Sequence, residues 1–288
     1  MSLKEIELPQ RYNYIACFLT LDCNLKCDYC INYYGGGNGF KKPIISGKKW
    51  VEMLNRIICP EDLPLTLQGG EPALHPDFIW IIKNLKEDLN IDILTNLSFD
   101  VNEFINDINP SRLRRNAPYP SIRVSYHPSY MDLGELMGKV SKMQRACFSI
   151  GIFGILHPKF KQEILEAQEK CQNLGIDFRT KEFLGEFNGK IYGAYFYPDA
   201  VGNGRRKKCL CRTTELIIGP DGNIYKCHHD LYKDFPPLGN LLDQNFEIED
   251  IFRECNQFGD CNPCDIKIKT NRFQSHGHTS VGIKDIKL

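Results

Sequence analysis

Between residues 14 and 184, short runs of strand formers alternate with stretches of helical apolar spacing, and this alternation constrains the fold more than any other feature. The spacing predicts strands over 14–20, 63–68, 91–96, 121–127, 148–156 and 176–184, with helices over 47–58, 77–89, 101–108, 131–145 and 160–173. Six β-then-α units in about 170 residues build a parallel sheet with right-handed crossovers, because a parallel connection needs a crossover element to return the chain. Six strands are too few for a closed eight-stranded barrel. In parallel α/β folds the chemistry gathers at the carboxyl ends of strands. Four features fall at such ends: the loop holding Cys23, Cys27 and Cys30, the Gly69-Gly70 turn, Asn96 and His127.

The cysteines point to metal. The chain has 288 residues and 13 cysteines, and its first residues are polar and charged with no apolar signal region. Reduced cytosolic thiols favour metal ligation over a disulfide framework, so a cytoplasmic location is expected. No run approaches a membrane span. Lys and Arg total 36 and Asp and Glu total 36, a balance that leaves no global electrostatic footprint for nucleic acid or anionic lipid. Cys17, Cys59, Cys147 and Cys171 are scattered through predicted strands and helices and read as small buried hydrophobes. The other nine cluster, three at 23–30 and six at 209–264.

Cys23, Cys27 and Cys30 offer a four-iron cluster three thiolates where full protein ligation needs four, which leaves one iron open to an exogenous ligand. A zinc site is the structural alternative, but the triplet has no nearby fourth ligand. With Tyr29 just before the last cysteine, the run resembles the signature C-x3-C-x-aromatic-C of the radical S-adenosylmethionine (SAM) enzymes, which follows the first strand of an open, partial (β/α)6 TIM-like barrel. A second motif, Gln68-Gly69-Gly70-Glu71-Pro72 after the second strand, is similar to the family's GGEP. The resemblance implies that the backbone of this turn and Glu71 receive the amino group of SAM. It further implies that SAM chelates the open iron of a [4Fe-4S] cluster, is cleaved to methionine and a 5′-deoxyadenosyl radical, and that a flavodoxin or ferredoxin supplies the electron. Asn96 and Ser125 are candidates for the ribose or carboxylate of SAM, and Arg179 for its carboxylate. The family's fifth-strand pattern G-x-I-x-G-x-x-E is not met by Gly151-Ile-Phe-Gly154, whose glycines are one residue too close.

The second cysteine group resembles the SPASM and twitch extensions that hold auxiliary clusters. Their lead element is met by Gly222-Asn-Ile-Tyr-Lys-Cys227 preceded by Cys209 or Cys211, and their trailing pair by Cys261-Asn-Pro-Cys264. Six cysteines fall short of two fully ligated clusters, so the shorter twitch form with one auxiliary [4Fe-4S] cluster is expected. The choice among Cys209, Cys211 and Cys255 stays open, and a zinc ribbon is the alternative. His228 stands where sulfatase-maturating relatives carry an acidic base, and it could accept a proton near neutral pH or simply bond cluster sulfur or backbone. His276 and His278 read as solvated.

The expected organisation is a barrel over 1–185, a linker over 186–208 and a twitch-like unit over 209–288. Within the latter, a hairpin turns on residues 220–223 and a short helix is expected over 246–255. The expected reaction is a two-electron oxidation of a small molecule or peptide, with His228 as base and the auxiliary cluster as electron acceptor. Peptide crosslinking is the competing enzymatic reading, and a noncatalytic iron or zinc module the rival from another class.

Overall fold

The computed structural model describes residues 4–33, 42–60, 63–269 and 279–286. The glycine-rich run Gly35–Gly39, expected from its composition to be a turn, and His276 and His278 lie outside the described residues. The six expected strands form: β1 (Tyr14–Thr20), β2 (Leu65–Gly69), β3 (Ile91–Thr95), β4 (Ile122–Tyr126), β5 (Ile150–Leu156) and β6 (Phe178–Glu182). They pair in sequence order and in parallel, as an open α/β barrel requires. Five helices connect them: α1 (Gly47–Leu54), α2 (Phe78–Asn84), α3 (Val101–Asp107), α4 (Leu133–Arg145) and α5 (Lys161–Asn173).

Register separates the two faces of the sheet. Cys17, Leu67, Ile93, Ile122 and Ile150 align across neighbouring strands, and all five are buried with Trp50, Met53, Ile81, Phe104, Val140 and Ile164 of the helices. Burying each such large apolar side chain stabilises the fold by roughly 1.5–3 kcal/mol, so the helices are held by this face. Cys17 and Cys171 belong to it, as small hydrophobes should, whereas Cys59 is partly exposed and Cys147 exposed, against the expectation for all four. Residues one step out of phase (Tyr14, Thr66, Gln68, Asp92, Arg123, Ser125) line the other face, the lumen. Asp92 is fully buried there, yet Arg115 grips it bidentately at 2.8 and 2.7 Å and Arg123 adds a contact at 3.1 Å. A buried carboxylate persists only with such partners.

The hairpin on residues 220–223 forms as expected, but it does not stand apart from the barrel. Its first strand, Glu215–Ile218, pairs in parallel with β1, extending the sheet to nine strands through Asn223–Tyr225 and Gly239–Asn240. The following helix, His228–Tyr232, lies on the lumen face, where Leu231 and Tyr232 pack on Ala16, Phe18 and Ile217. Residues 186–208, expected as a linker, carry the hairpin Gly185–Phe187 and Lys190–Tyr192 and a turn whose Ala200 and Val201 are buried against Cys209 and Cys261.

The helix expected over 246–255 is absent. Arg253–Phe258 is instead a strand, paired with Lys207–Thr213, which also pairs with Val281–Asp285. Asp250 is clamped by Arg11 and Arg212. Those tertiary contacts, from partners far apart in sequence, outweigh the local helical spacing.

Candidate active site and thiol centres

The N-terminal cysteine loop is held by every strand end around it. Thr20 Oγ1 accepts from the Asp22 backbone N–H (3.0 Å), and the carbonyls of Thr20 and Asp22 accept from the backbone N–H groups of Gly70 (2.9 Å) and Glu71 (2.8 Å). This close approach explains the glycines. A Cβ on Gly69 would sit 2.0 Å from the Thr20 carbonyl oxygen, and one on Gly70 would sit 2.2 Å from that of Asp22. Besides the expected contact of this turn with SAM, its glycines serve the approach of the two loops to each other.

Glu71 is buried, and burial raises its carboxyl above the usual range. Its oxygens accept from Thr95 Oγ1 (2.6 Å), the Asn96 backbone N–H (2.6 Å) and the Ala73 backbone N–H (3.2 Å). The carboxylate therefore ties the β2 turn to the end of β3. Pro72 opens the single turn Pro72–Leu74 that Glu71 caps. Asn96 reaches the cysteine loop directly, with Nδ2 2.7 Å from Asn24 Oδ1 and 3.8 Å from Cys23 Sγ.

Tyr29 meets His127 Nδ1 at 2.9 Å and stacks on His157 at 5.0 Å, linking the loop to the ends of β4 and β5. Tyr130 donates to the Lys26 carbonyl at 2.8 Å. From the other side, Asn262 Nδ2 donates to the Ile31 carbonyl at 3.3 Å, so the Cys261-x-x-Cys264 turn docks on the first cysteine loop. None of His127, His157, Tyr130 and Asn262 was assigned a role here from sequence. They contribute by converging in space, and only the strand-end position of His127 hinted at it.

These residues fit an iron-sulfur cluster with SAM. Cys23, Cys27 and Cys30 are all partly exposed on one loop. Burial, then the neighbouring thiols, push Cys27 up to about 12, so its ionisation calls for a cationic partner. Beside them, Asn96 Oδ1 and Gln68 Nε2 are buried with no hydrogen-bond partner among the described residues. Two expected SAM contacts stand differently. Arg179 spends its guanidinium on Asp177, with contacts of 2.9–3.0 Å, because that carboxylate is two residues away on the same strand approach. Ser125 lies partly exposed on the lumen face of β4, in register with Phe153 and Arg179.

The second cysteine group is a real cluster in space. The thiols of Cys209, Cys211 and Cys255 lie within 4.8 Å of one another, and Cys227 and Cys261 are buried in the same apolar pocket. The proximity of the Cys211 and Cys255 thiols lowers Cys255 and raises Cys211, each acting as the first cause on the other. His228 Nδ1 meets Asp265 Oδ1 at 2.8 Å, and the backbone N–H groups of His228 and His229 donate to the same carboxylate at 2.9 and 3.1 Å. Burial alone would lower the imidazole, but Cys264, Asp265 and Glu215 together raise it to about 9. Its protonation is set by these neighbours, so the base role expected of it needs the neutral form. Lys181 faces the lumen over the Phe153 ring at 4.8 Å, with no carboxylate partner among the described residues. Its side chain is exposed at that end of the strand.

No family model matches the chain. A GTP 3',8-cyclase of Campylobacter jejuni subsp. doylei is 27% identical over 112 residues, 38% of this chain and 35% of the cyclase. A GTP 3',8-cyclase of Shewanella denitrificans is 32% identical over 84 residues, 28% of this chain and 24% of the cyclase. The matches thus span about a third or less of these relatives. In fold, the chain is similar to Streptococcus suis SuiB bound to S-adenosylmethionine, with TM-score 0.53 and 14% identity over 82% of this chain and 63% of SuiB. It is also similar to anSMEcpe with bound AdoMet and the Kp18Cys peptide, with TM-score 0.52 and 15% identity over 84% of this chain and 78% of that one. Among the described residues no helix is long and apolar enough to cross a membrane.

Proposed function

We propose that this chain, a radical SAM superfamily protein, reductively cleaves S-adenosylmethionine and takes a hydrogen atom from a substrate seated in the barrel lumen. The observation that carries this is the interlock of the Cys23–Cys27–Cys30 loop with the Gly69-Gly70-Glu71-Pro72 turn at adjacent strand ends. Cys23, Cys27 and Cys30 would hold the cluster; when bound, it supplies the electron that breaks a carbon–sulfur bond of SAM and so provides the hydrogen-abstracting species.

The chain's own residues position and exclude. The Gly69–Pro72 backbone offers acceptors for the SAM ammonium, while Glu71 keeps that backbone fixed. Asn96 Oδ1 and Ser125 offer further polar contacts, and Tyr29 with His157 supplies an aromatic wall beside the loop. The reaction class proposed is a two-electron oxidation: after loss of the hydrogen atom, the substrate would give a proton to neutral His228, and an iron cluster held by the second thiol centre would supply the acceptor for the remaining electron.

For the substrate we favour a peptide. Similarity over more than four-fifths of the chain to a protein with a bound peptide supports it. Lys181 adds a cation suited to a carboxylate on that peptide. A nucleotide is the second reading, supported by the cyclase similarity over a shorter stretch.

The experiment is anaerobic reconstitution followed by dithionite reduction with SAM and no substrate. Formation of 5′-deoxyadenosine is expected. Bound zinc with no SAM turnover would reject the enzymatic reading.

A further inference from the structure

We propose that the free edge of β6 takes the substrate peptide as an added antiparallel strand, with an acidic side chain of that peptide against Lys181. The inference deepens the peptide reading of the proposed function and rests on it. β6 is the last strand of its sheet: β5 pairs with one side, and among the described residues no strand pairs with the other. Register tells which backbone groups this leaves over. Ile152 stands opposite Phe178, and its N–H donates to the Asp177 carbonyl at 2.8 Å. A parallel strand bonds its neighbour through alternate residues, so Asp177, Arg179 and Lys181 serve β5 while Phe178, Thr180 and Glu182 turn their backbone groups outward. The Phe178 carbonyl, which accepts from Gln168 Nε2 of α5 at 3.0 Å, fixes that phase. Thr180 and Glu182 have no backbone partner on that edge among the described residues. An N–H and a C=O repeating every second residue form a template that an extended chain matches.

The edge leads to the candidate active site. Just past Glu182, the Phe183 ring meets His157 at 4.4 Å, and His157 stacks on Tyr29 of the first cysteine loop at 5.0 Å. A strand laid along β6 therefore ends beside that loop. Charge then selects the occupant. Lys181 is exposed on the lumen face, over Phe153, whereas Glu182 accepts from the Ala194 backbone N–H at 3.0 Å. If β6 paired with a second copy of itself through the outward residues, Lys181 would face Arg179 or another Lys181. Like charges placed opposite each other destabilise a strand pair, and an acidic residue in a peptide reverses the sign.

The probe is a random library of peptides about twelve residues long, selected on the anaerobically reconstituted full chain with SAM. Peptides carrying Asp or Glu should be enriched. Thr180→Pro removes one outward N–H and leaves the bonds to β5 in place, a substitution that edge strands tolerate. It should weaken a selected peptide about three- to tenfold, while Thr180→Val, which keeps the N–H, should not. N-methylation of alternate peptide residues makes the same deletion from the ligand side and leaves the protein unaltered. Lys181→Met should cost the acidic peptide about fivefold, less at high salt, and its Asn or Gln counterpart nothing.

Residue-resolved hydrogen exchange gives the signature of strand addition. The Thr180 and Glu182 amides should exchange freely without peptide and slow when it binds, whereas those of Arg179 and Lys181 are slow throughout. The inference is overturned if no acidic peptide is enriched, if binding ignores both Thr180→Pro and N-methylation, if exchange at Thr180 and Glu182 does not respond, or if a second copy of the chain occupies the edge. Cleavage of SAM by a chain whose edge stays unprotected would keep the proposed function and remove this inference. Peptide bound at the edge of a chain that forms no 5′-deoxyadenosine would do the reverse.

Discussion

Cys27→Ala is expected to abolish 5′-deoxyadenosine formation, a fall of at least about a thousandfold, while removing about four irons from the anaerobically reconstituted chain. The size of the effect follows from ligand number. On the proposed function three thiols would hold the cluster, and the surrounding groups are otherwise engaged: Asn96 and Asn24 bond each other, and Tyr29 meets His127. Stability should change little, because Cys27 is partly exposed and belongs to no apolar cluster among the described residues. Thermal unfolding of the metal-free protein separates the two effects. A variant that kept cleavage at a tenth of the parent rate or better would remove Cys27 from the ligand set.

Gly70→Ala comes next in expected effect. The added methyl would lie 2.2 Å from the Asp22 carbonyl oxygen, backbone that cannot swing aside as a side chain can. The two loops must separate, which breaks the bonds from Gly70 to Thr20 and from Glu71 to Asp22. Strain of this kind costs about 1–3 kcal/mol in stability. The cost to chemistry is larger: a displacement near 1 Å at a site built on positioning is worth about a hundredfold in rate. SAM cleavage should therefore fall about a hundredfold while iron content in the reconstituted protein stays near the parent value. If cleavage is unchanged, the interlock of the loops does not position SAM.

Much of this was legible because it depends on residues near one another in sequence. The strand runs from 14–20 to 176–184 carry enough apolar side chains to fix both their existence and their order, and boundaries shifted by only a few residues. Cys23, Cys27, Cys30 and the Gly-Gly-Glu-Pro turn were visible as motifs for the same reason. What the sequence hid depends on distant partners. The extended path around Asp250 is imposed by Arg11 and Arg212, and the strand holding Cys255 exists because Lys207–Thr213 offers it an edge. Glu71 could be recognised as a motif residue, but its role as a tie to Thr95 and Asn96 requires knowing that β2 and β3 are neighbours. Arg179 looked free on its strand until Asp177 was seen to hold it.

The second cysteine group illustrates both sides. Its clustering in sequence signalled a metal, and the thiols do meet. Its ligand pattern was read from motif spacing, which does not register that Cys209 faces Cys255 across a sheet. The continuity of Glu215–Ile218 with β1 was equally hidden, since a hairpin carries no local sign of which strand it will join.

Electron paramagnetic resonance of the dithionite-reduced, reconstituted protein, recorded before and after SAM is added, tests the central claim most directly. SAM should change the g-values of the cluster held by Cys23, Cys27 and Cys30, and the change should vanish in Cys27→Ala. A reduced signal that is identical with and without SAM would contradict the account.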